Sequence, residues 1–361
     1  MNSNSNYVST KLFVTLVILF ISFLLSSCRD HPEYEKTTIG SEVKTAASPL
    51  QLEKMDLGDK LFAAERCYVF SDSILVIQNL KNSMKPFLEF YNLFTGELYK
   101  TAILRGNGPN ELLDMISKNS NNYLLINGYV NDKYSRINVS DFVNSDNNVI
   151  SFTPYSFECQ SMDQWNNDLF IVENPYRFVN KQLRIKQNVP RLLFVGANST
   201  IENNDLISAI NVTRGNMLIN KSIGKICYYS RSDATIELYD TLLNLKKAII
   251  GPDQLKQEYS MSNGSLVFSN VITNSYLSAC YNDSILLFAY EGREKNPMNN
   301  NAGDDNHYNI WLFMFDWDGN FVKSFVFDGK RVVCMSLTST HTLYITCKES
   351  GSLNVYCANI E

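Results

Sequence analysis

The sequence predicts an all-β protein, a six-bladed β-propeller, from three observations. A short apolar strand after a polar turn recurs six times in the 361 residues, at a nearly even spacing. Most copies are followed by a second strand and a hairpin, which is typical of the meander sheets of propeller blades. No long segment shows the apolar period of a helix. The six copies begin at Asp72, Asn122, Asn167, Gly224, Asp283 and His341.

The hairpins of the first and fifth copies are the clearest in the sequence. The first lies within Phe87–Leu104 and turns at Thr95-Gly96, and the fifth lies within Asn309–Phe327 and turns at Asp318-Gly319. Glycine suits such tight turns because it adopts a positive φ without steric cost. The second and third copies are less regular.

The last copy is followed by only one further strand, so its blade is one strand short. The free strand-like segment Pro49–Leu57 is therefore predicted to pair into the last blade and close the ring, since an open sheet edge invites aggregation. Seven blades is the alternative, because residues 199–222 and 260–280 are hard to assign.

The N-terminal segment has the pattern of an export signal. Lys11 precedes an almost wholly apolar run, Leu12–Leu25. As a helix this run is about 21 Å long, which is short for a bilayer core about 30 Å thick. It ends in Ser26-Ser27-Cys28, which resembles a bacterial lipobox. We expect residues 1–27 to be a signal peptide and Cys28 to be lipidated; a plain signal peptide or a membrane anchor is the alternative.

Residues 28–48 are polar and predict a flexible tether between the lipid and a propeller domain over residues 49–361. Two or three acyl chains, such as palmitate, anchor a protein stably. The expected location is the cell envelope, at the outer membrane. The acidic cluster after Cys28 is diluted by Arg29, so periplasmic and surface orientations both stay open.

Composition excludes some classes of site. Lys and Arg number 32 against 37 Asp and Glu, so a strongly basic nucleic-acid binder is not expected. There is no C-x-x-C, G-x-S-x-G or H-E-x-x-H, and we expect no metal and no cofactor. A disulfide among Cys334, Cys347 and Cys357 is one alternative; buried free thiols are the other.

The segment Lys85–Leu112 carries a family resemblance. A Pro-Phe strand leads through a hairpin to Arg105-Gly-Asn-Gly-Pro-Asn-Glu111. This pattern resembles the TolB-like six-bladed propeller lipoproteins of Bacteroidetes, with Leu112 where Phe is more usual. The resemblance implies a six-bladed propeller and an envelope lipoprotein, and it implies no reaction.

The same segment supplies the candidate binding loop. Arg105, Asn107, Asn110 and Glu111 would contact a ligand or partner at the mouth of the central channel. The favoured alternative is an inter-blade turn in which the glycines take special conformations and Glu111 caps backbone N–H groups.

Three weaker patterns complete the candidates. Ser73, Thr241 and Ser284 follow Asp and precede an apolar residue, which resembles the O-glycosylation acceptors of Bacteroidetes but also suits strand turns. Asp316–Asn320 is a calcium loop or, as favoured, a hairpin turn. The polar insertion Glu291–Tyr308 is a binding loop or, as favoured, a disordered surface loop; its Asp304, Asp305 and His307 could bind a metal but have no partner cluster in the sequence.

Three functions are compatible with these patterns. The favoured one is a non-enzymatic envelope lipoprotein that presents a propeller face to a protein or glycan partner. An enzyme stays open, as a lyase or hydrolase of glycans or lactones with carboxylates and a histidine at the channel mouth. The third is a structural subunit of an envelope complex.

Overall fold

A computed structural model gives the structure of the protein. It describes residues 34–57, 64–79, 85–120, 122–128, 130, 132–154, 162–166, 169–173, 191–195, 215–242, 244–255, 259–262, 265–268, 272–295, 309–328, 330–349 and 352–360. The described residues form strands and two short helices. No helix in these ranges is long and apolar enough to cross a membrane.

The described chain begins with short elements that precede the blades. They are β1 (Glu35–Thr38), α1 (Glu42–Thr45), β2 (Ser48–Pro49) and β3 (Glu53–Lys54).

The first two blades follow, each an antiparallel meander. Blade 1 contains β4 (Arg66–Phe70), β5 (Ile74–Gln78), β6 (Leu88–Asn92) and β7 (Leu98–Ala102). The link to blade 2 contains β8 (Leu104–Arg105) and β9 (Glu111–Leu112). Blade 2 contains β10 (Ile116–Ser120), β11 (Tyr123–Gly128), β12 (Lys133–Asn138), α2 (Val139–Asn144) and β13 (Thr153–Pro154).

In the chain, a three-stranded sheet lies between blade 2 and blade 3. Its strands are β14 (Met162–Asn166), β15 (Leu169–Glu173) and β16 (Arg191–Val195). Blade 3 contains β17 (Gly215–Asn220), β18 (Lys225–Ser230), β19 (Thr235–Tyr239) and β20 (Leu245–Ile250). A two-stranded hairpin follows, with β21 (Tyr259–Ser262) and β22 (Ser265–Phe268).

The last two blades have the longest strands. Blade 4 contains β23 (Ile272–Tyr281), β24 (Ile285–Lys295), β25 (Asn309–Asp316) and β26 (Phe321–Asp328). Blade 5 contains β27 (Arg331–Leu337), β28 (Thr342–Glu349) and β29 (Ser352–Asn359).

The all-β propeller class is confirmed, but the prediction of six blades, with seven as the alternative, is wrong. Within the described ranges five sheets have four or five strands and form blades. The copy at Asn167 does produce a strand, β15, but β15 pairs parallel with β16. A propeller blade is an antiparallel meander, so the sheet of β14, β15 and β16 is not a sixth blade.

The closing strand was predicted correctly. In blade 5, β3 pairs antiparallel with β29, with Lys54 opposite Tyr356 and Glu53 opposite Cys357. The N-terminal segment thus supplies the fourth strand of the last blade, and the sheet edge at β29 is covered.

The residues before β3 also attach to blades. The strand β1 pairs parallel with β20 of blade 3, and β2 pairs parallel with β26 of blade 4. Between them, Ile39 and Val43 are buried in the core between blades 3 and 4. The sequence placed residues 35–48 in the tether. In the structure they run along the outer edges of blades 3 and 4, and the chain then continues to β3, which closes blade 5.

The core lies between neighbouring blades because the central strands bury both of their faces. In β24, Phe288 and Tyr290 pack with residues of blade 3, whereas Leu287 and Ala289 pack with residues of blade 5. Successive side chains of a strand point to opposite sides of its sheet. This explains why β24 begins with a continuous apolar run rather than an alternating pattern.

The blade topology defines two faces of the ring. The chain enters the innermost strands β4, β10, β17, β23 and β27 at one end, here called the front face. It leaves them at the other end, the back face, where the first hairpin of each blade turns. Because each blade is a meander, the link from one blade to the next returns to the front face.

Candidate functional site

The described residues enclose a cavity at each face of the central channel. The front cavity has a volume of about 470 Å³ and is lined by residues of all five blades. The back cavity has a volume of about 440 Å³ and is lined by the ends of the innermost strands and their turns.

A polar cluster separates the two cavities. Asn119 Nδ2 donates to Met335 O at 2.9 Å and to Ser336 Oγ at 3.2 Å, from blade 2 to blade 5. The hydroxyl of Tyr281 donates to Ile219 O at 2.5 Å and lies 3.0 Å from the Ser120 hydroxyl. These bonds tie blades 2, 3, 4 and 5 together across the channel, so the cavities have a fixed floor.

The described lining of the front cavity includes three cationic side chains. Its lining includes Arg66 of blade 1, Lys118 of blade 2 and Arg231 of blade 3. Among the described residues that line it, none is aspartate, glutamate or histidine. This is the reverse of the whole chain, which has a formal net charge of −5.

Arg66 is held in place at the cavity wall. Its Nη1 donates to Ser117 O at 3.0 Å, and the hydroxyl of Tyr68 donates to the same carbonyl at 2.7 Å. The neighbouring Tyr68 raises the pKa of the Arg66 guanidinium, so this group keeps its charge. Burial raises the pKa of Tyr68, which stays a neutral donor.

Tyr229 forms the wall beside Arg231. Burial raises the pKa of Tyr229, while the nearby charge of Arg231 and a hydrogen bond from Asn216 act in the opposite direction. Arg231 itself is exposed at the end of β18, so it lies at the rim of the cavity.

The back cavity has the opposite character. Asp72, Asp283 and Ser284 lie in its lining, with further amide and hydroxyl side chains. Asp72 Oδ2 accepts from Thr340 Oγ1 at 3.2 Å, and its Oδ1 is buried with no hydrogen-bond partner. Ser71 and Asp72 have φ of 49° and 56°, in the left-handed region, within the three-residue turn between Phe70 and Ile74.

The predicted binding loop is closed by its own contacts. Arg105 Nη2 donates to Asn79 O at 2.8 Å, and its guanidinium lies 3.9 Å from the centre of the Phe87 ring. Gly108 N donates to Glu111 Oε2 at 2.9 Å. Lys133 Nζ donates to Gly108 O at 2.6 Å and to Glu111 O at 3.0 Å.

The glycines of this loop make room for Glu111. A Cβ on Gly106 would lie 2.1 Å from Glu111 Oε2. Asn107 and Asn110 are exposed, and neither they nor Arg105 and Glu111 belong to the described lining of the two cavities. These contacts favour the inter-blade turn, and binding by this loop stays a prediction.

The candidate O-glycosylation residues occupy turns at the back face. Ser73 is half-buried and donates to Ser71 O at 3.1 Å. Ser284 is exposed and donates to Asn282 Oδ1 at 3.0 Å, while Thr241 is exposed in the turn between β19 and β20. Their modification stays a prediction.

The segment Asp316–Asn320 is a hairpin turn, as favoured. Asp316 Oδ1 accepts from the backbone N–H groups of Asp318 at 2.9 Å and Asn320 at 2.8 Å. Gly319 has a φ of 75°. The carboxylate is used to close the turn between β25 and β26, which leaves the calcium interpretation without support.

The cysteines of the described residues are free thiols, so the alternative of a bridge among Cys334, Cys347 and Cys357 does not hold. No group of three or more His, Cys, Asp or Glu side chains in the described ranges could hold a metal ion. Cys28 and the insertion residues 296–308 lie outside the described residues.

Sequence reasoning missed the front cavity. Its cations are single charged residues in three strands or strand ends that are far apart in the chain. The available signal was their position, because Arg66 and Lys118 each fall near the start of an innermost strand. The two residues can be assigned to the same end of the ring only when the strand register of each blade is known.

The fold and its channel define the class of this protein as a β-propeller with a polar cavity at each end. The sequence matches no protein-family model and no curated protein. Several solved structures are similar to it at low sequence identity.

Two of these structures come from Bacteroides. A DUF4221 family member from Bacteroides vulgatus is 13% identical, with 86% of this chain and 96% of that chain covered and a TM-score of 0.48. A Bacteroides fragilis protein, described as a candidate exported protein, is 10% identical, with 91% and 100% covered and a TM-score of 0.42. A third, the β-propeller domain of Cps50 from Myceliophteria thermophila, is 9% identical, with 83% and 97% covered and a TM-score of 0.38.

Proposed function

We propose that this protein is a lipid-anchored β-propeller of the cell envelope that binds a protein or glycan partner through its front face, without catalysis. The observation that carries the proposal is the front cavity, which all five blades build and which three cations line. Binding sites are usually such preformed concave regions with a few polar groups on rigid elements.

The lipid anchor rests on the sequence. The apolar run and the small residues before Cys28 support export and lipidation, and the resulting anchor would hold the domain at the outer membrane. The motif from Gly106 to Glu111 supports a relation to the TolB-like lipoproteins of Bacteroidetes, although five blades depart from that family's six.

The alternative of a lyase or hydrolase called for carboxylates and a histidine at the channel mouth. The described lining of the front cavity supplies neither. General acid–base catalysis needs such groups within hydrogen-bond reach of the substrate. The described lining of the back cavity has Asp72 and Asp283 but no histidine. The set of groups that this alternative calls for is therefore not found together in the described lining of either cavity, which supports binding as the proposal.

The test is capture of the tagged full-length protein from native envelopes in mild detergent. Arg231→Glu reverses a charge at the front rim, and Asp283→Asn changes the back face as the matched control. We expect one stoichiometric partner, protein or glycan, that Arg231→Glu loses and Asp283→Asn retains. Equal recovery with both variants, or no reproducible partner with the unchanged protein, contradicts the proposal.

A further inference from the structure

The front cavity is a built site, because two of its charged groups lie on strands and the third directly follows a strand. Arg66 and Lys118 belong to β4 and β10, and Arg231 directly follows β18. The floor beneath them is the hydrogen-bonded cluster of Asn119, Ser120 and Tyr281 described above. Groups fixed in this way lose little freedom when a ligand binds.

The three cationic side chains of the described lining favour an anionic ligand. Three cations face one concave region, and no carboxylate is present among its described lining residues. Walls of low dielectric constant focus such a field and raise the local concentration of counter-ions. Arginine in particular favours carboxylate and phosphate groups, since its planar fork can donate two parallel hydrogen bonds.

The remaining lining suits a ring with hydroxyl groups. Asn216 and Ser278 contribute polar side chains, while Ile116, Met217 and Leu277 contribute apolar ones. Saccharide rings present both kinds of surface. The volume of about 470 Å³ lies in the range of about 300–1,000 Å³ that is usual for small-molecule sites.

We infer that the front cavity binds a carboxylate-bearing saccharide of one or two rings, with the carboxylate on Arg66, Lys118 and Arg231. This inference rests on the proposed function and names the chemistry of its partner. The carboxylate makes charge-assisted hydrogen bonds to these side chains, and the ring packs on the mixed wall. The back cavity, with Asp72 and Asp283, repels the same ligand.

The experiment is isothermal titration calorimetry with the full-length protein in detergent. The probes are galacturonic acid, digalacturonic acid, neutral galactose and inorganic phosphate. We expect galacturonate or its dimer to bind at least about tenfold more tightly than galactose, because hydrogen bonds to charged groups are the stronger ones. Raising the salt concentration should weaken this binding.

The variants locate the site. Lys118→Gln and Arg231→Gln should each weaken binding about tenfold, and Asp283→Asn should leave it unchanged. Arg231 is exposed, so we expect its replacement to lower stability less than substitution of the half-buried Lys118. Circular dichroism of each variant checks that it is folded.

Three outcomes overturn the inference: acidic and neutral sugars bind equally, phosphate binds as tightly as the uronates, or Arg231→Gln has no effect on uronate binding. A protein that binds no uronate in calorimetry but still loses its captured partner on Arg231→Glu refutes this inference alone. If the protein binds no uronate and Arg231→Glu still captures the partner, the proposed function is refuted as well.

Discussion

Tyr281 of blade 4 and Ser120 of blade 2 meet across the channel, with their hydroxyl oxygens 3.0 Å apart. The Tyr281 hydroxyl also donates to Ile219 O of blade 3. One phenol thus joins three blades at the floor that separates the two cavities.

Removal of this hydroxyl should destabilise the ring. Tyr281→Phe removes the donor to the buried Ile219 carbonyl and the contact with the Ser120 hydroxyl, at a cost of about 1–3 kcal/mol in the free energy of unfolding. Urea unfolding followed by tryptophan fluorescence measures this. Tyr99→Phe is the control, because the exposed Tyr99 hydroxyl accepts from Asn92 at the surface. Equal midpoints for the two variants would contradict the role given to Tyr281.

Glu111→Ala should lower the free energy of unfolding without affecting partner capture. The substitution removes the acceptor of the Gly108 N–H, so we expect a loss of about 1 kcal/mol in the free energy of unfolding. Asn107→Ala and Asn110→Ala change exposed side chains and should stay within about 0.5 kcal/mol of the unchanged protein. Partner capture should survive all three substitutions. Loss of the partner with the two asparagine variants would instead restore the loop as a binding element.

Asp240 should make stability depend on pH in the acid range. Partial burial raises its pKa, but hydrogen bonds from the side chain and backbone of Asn244 and from Lys246 outweigh this and lower the pKa of Asp240 to about 2. The unfolded chain has a pKa of about 3.9. A lowered folded-state pKa stabilises the protein above the unfolded pKa, and this contribution is lost as the pH falls from about 4 to about 2.

Thermal unfolding of the unchanged protein and of Asp240→Asn measures this contribution. The unchanged protein should have the higher melting temperature at pH 6, and the difference should shrink as the pH falls from 4 to 2.5. The Asp318→Asn variant, at an exposed residue of another hairpin, is the control. A difference that is constant with pH would contradict the assignment.

Ile39→Ala should show that residues 35–48 belong to the folded domain. Ile39 is 6% exposed and packs in the core between blades 3 and 4, so its truncation should cost about 2–5 kcal/mol in the free energy of unfolding. Tyr34→Ala, just before β1 and 45% exposed, should cost little. Urea midpoints compare the two variants, and a neutral Ile39→Ala would mean that this segment is a tether.

Cys28→Ser should abolish lipidation. Metabolic labelling with an alkyne analogue of palmitate should mark the unchanged protein and Cys357→Ser, and it should leave Cys28→Ser unmarked. Label that persists on Cys28→Ser would refute the lipobox.

The sequence predicted the positions of the blade strands better than the number of blades. The turn-and-strand pattern at Asp72 or Asp283 does mark the second strand of a blade, β5 or β24, because both faces of such a strand are buried. The same pattern at Asn167 marks only a strand. Its pairing with β16 depends on the direction of a partner further along the chain, which the apolar pattern of one strand does not encode.

Prediction of the candidate site from the sequence was harder still, because the site exists only in the tertiary structure. Arg66, Lys118 and Arg231 share a cavity only because the ring closes. The burial of Ile39 and Val43 was not predicted for a related reason, since two isolated apolar residues in a polar segment show no apolar period. Their burial comes from blades 3 and 4, whose strands begin only at Gly215, in the second half of the chain.

The direction of β1 has a consequence for orientation in the envelope. Glu35 lies opposite Lys247 near the start of β20, and Thr38 lies opposite Ile250 at its end, so the chain arrives from the back face. The short segment from Cys28 to Tyr34 reaches at most about 22 Å when fully extended. A lipid on Cys28 would hold the back face near the bilayer. The front cavity would then open away from the membrane, towards molecules in the surrounding solution.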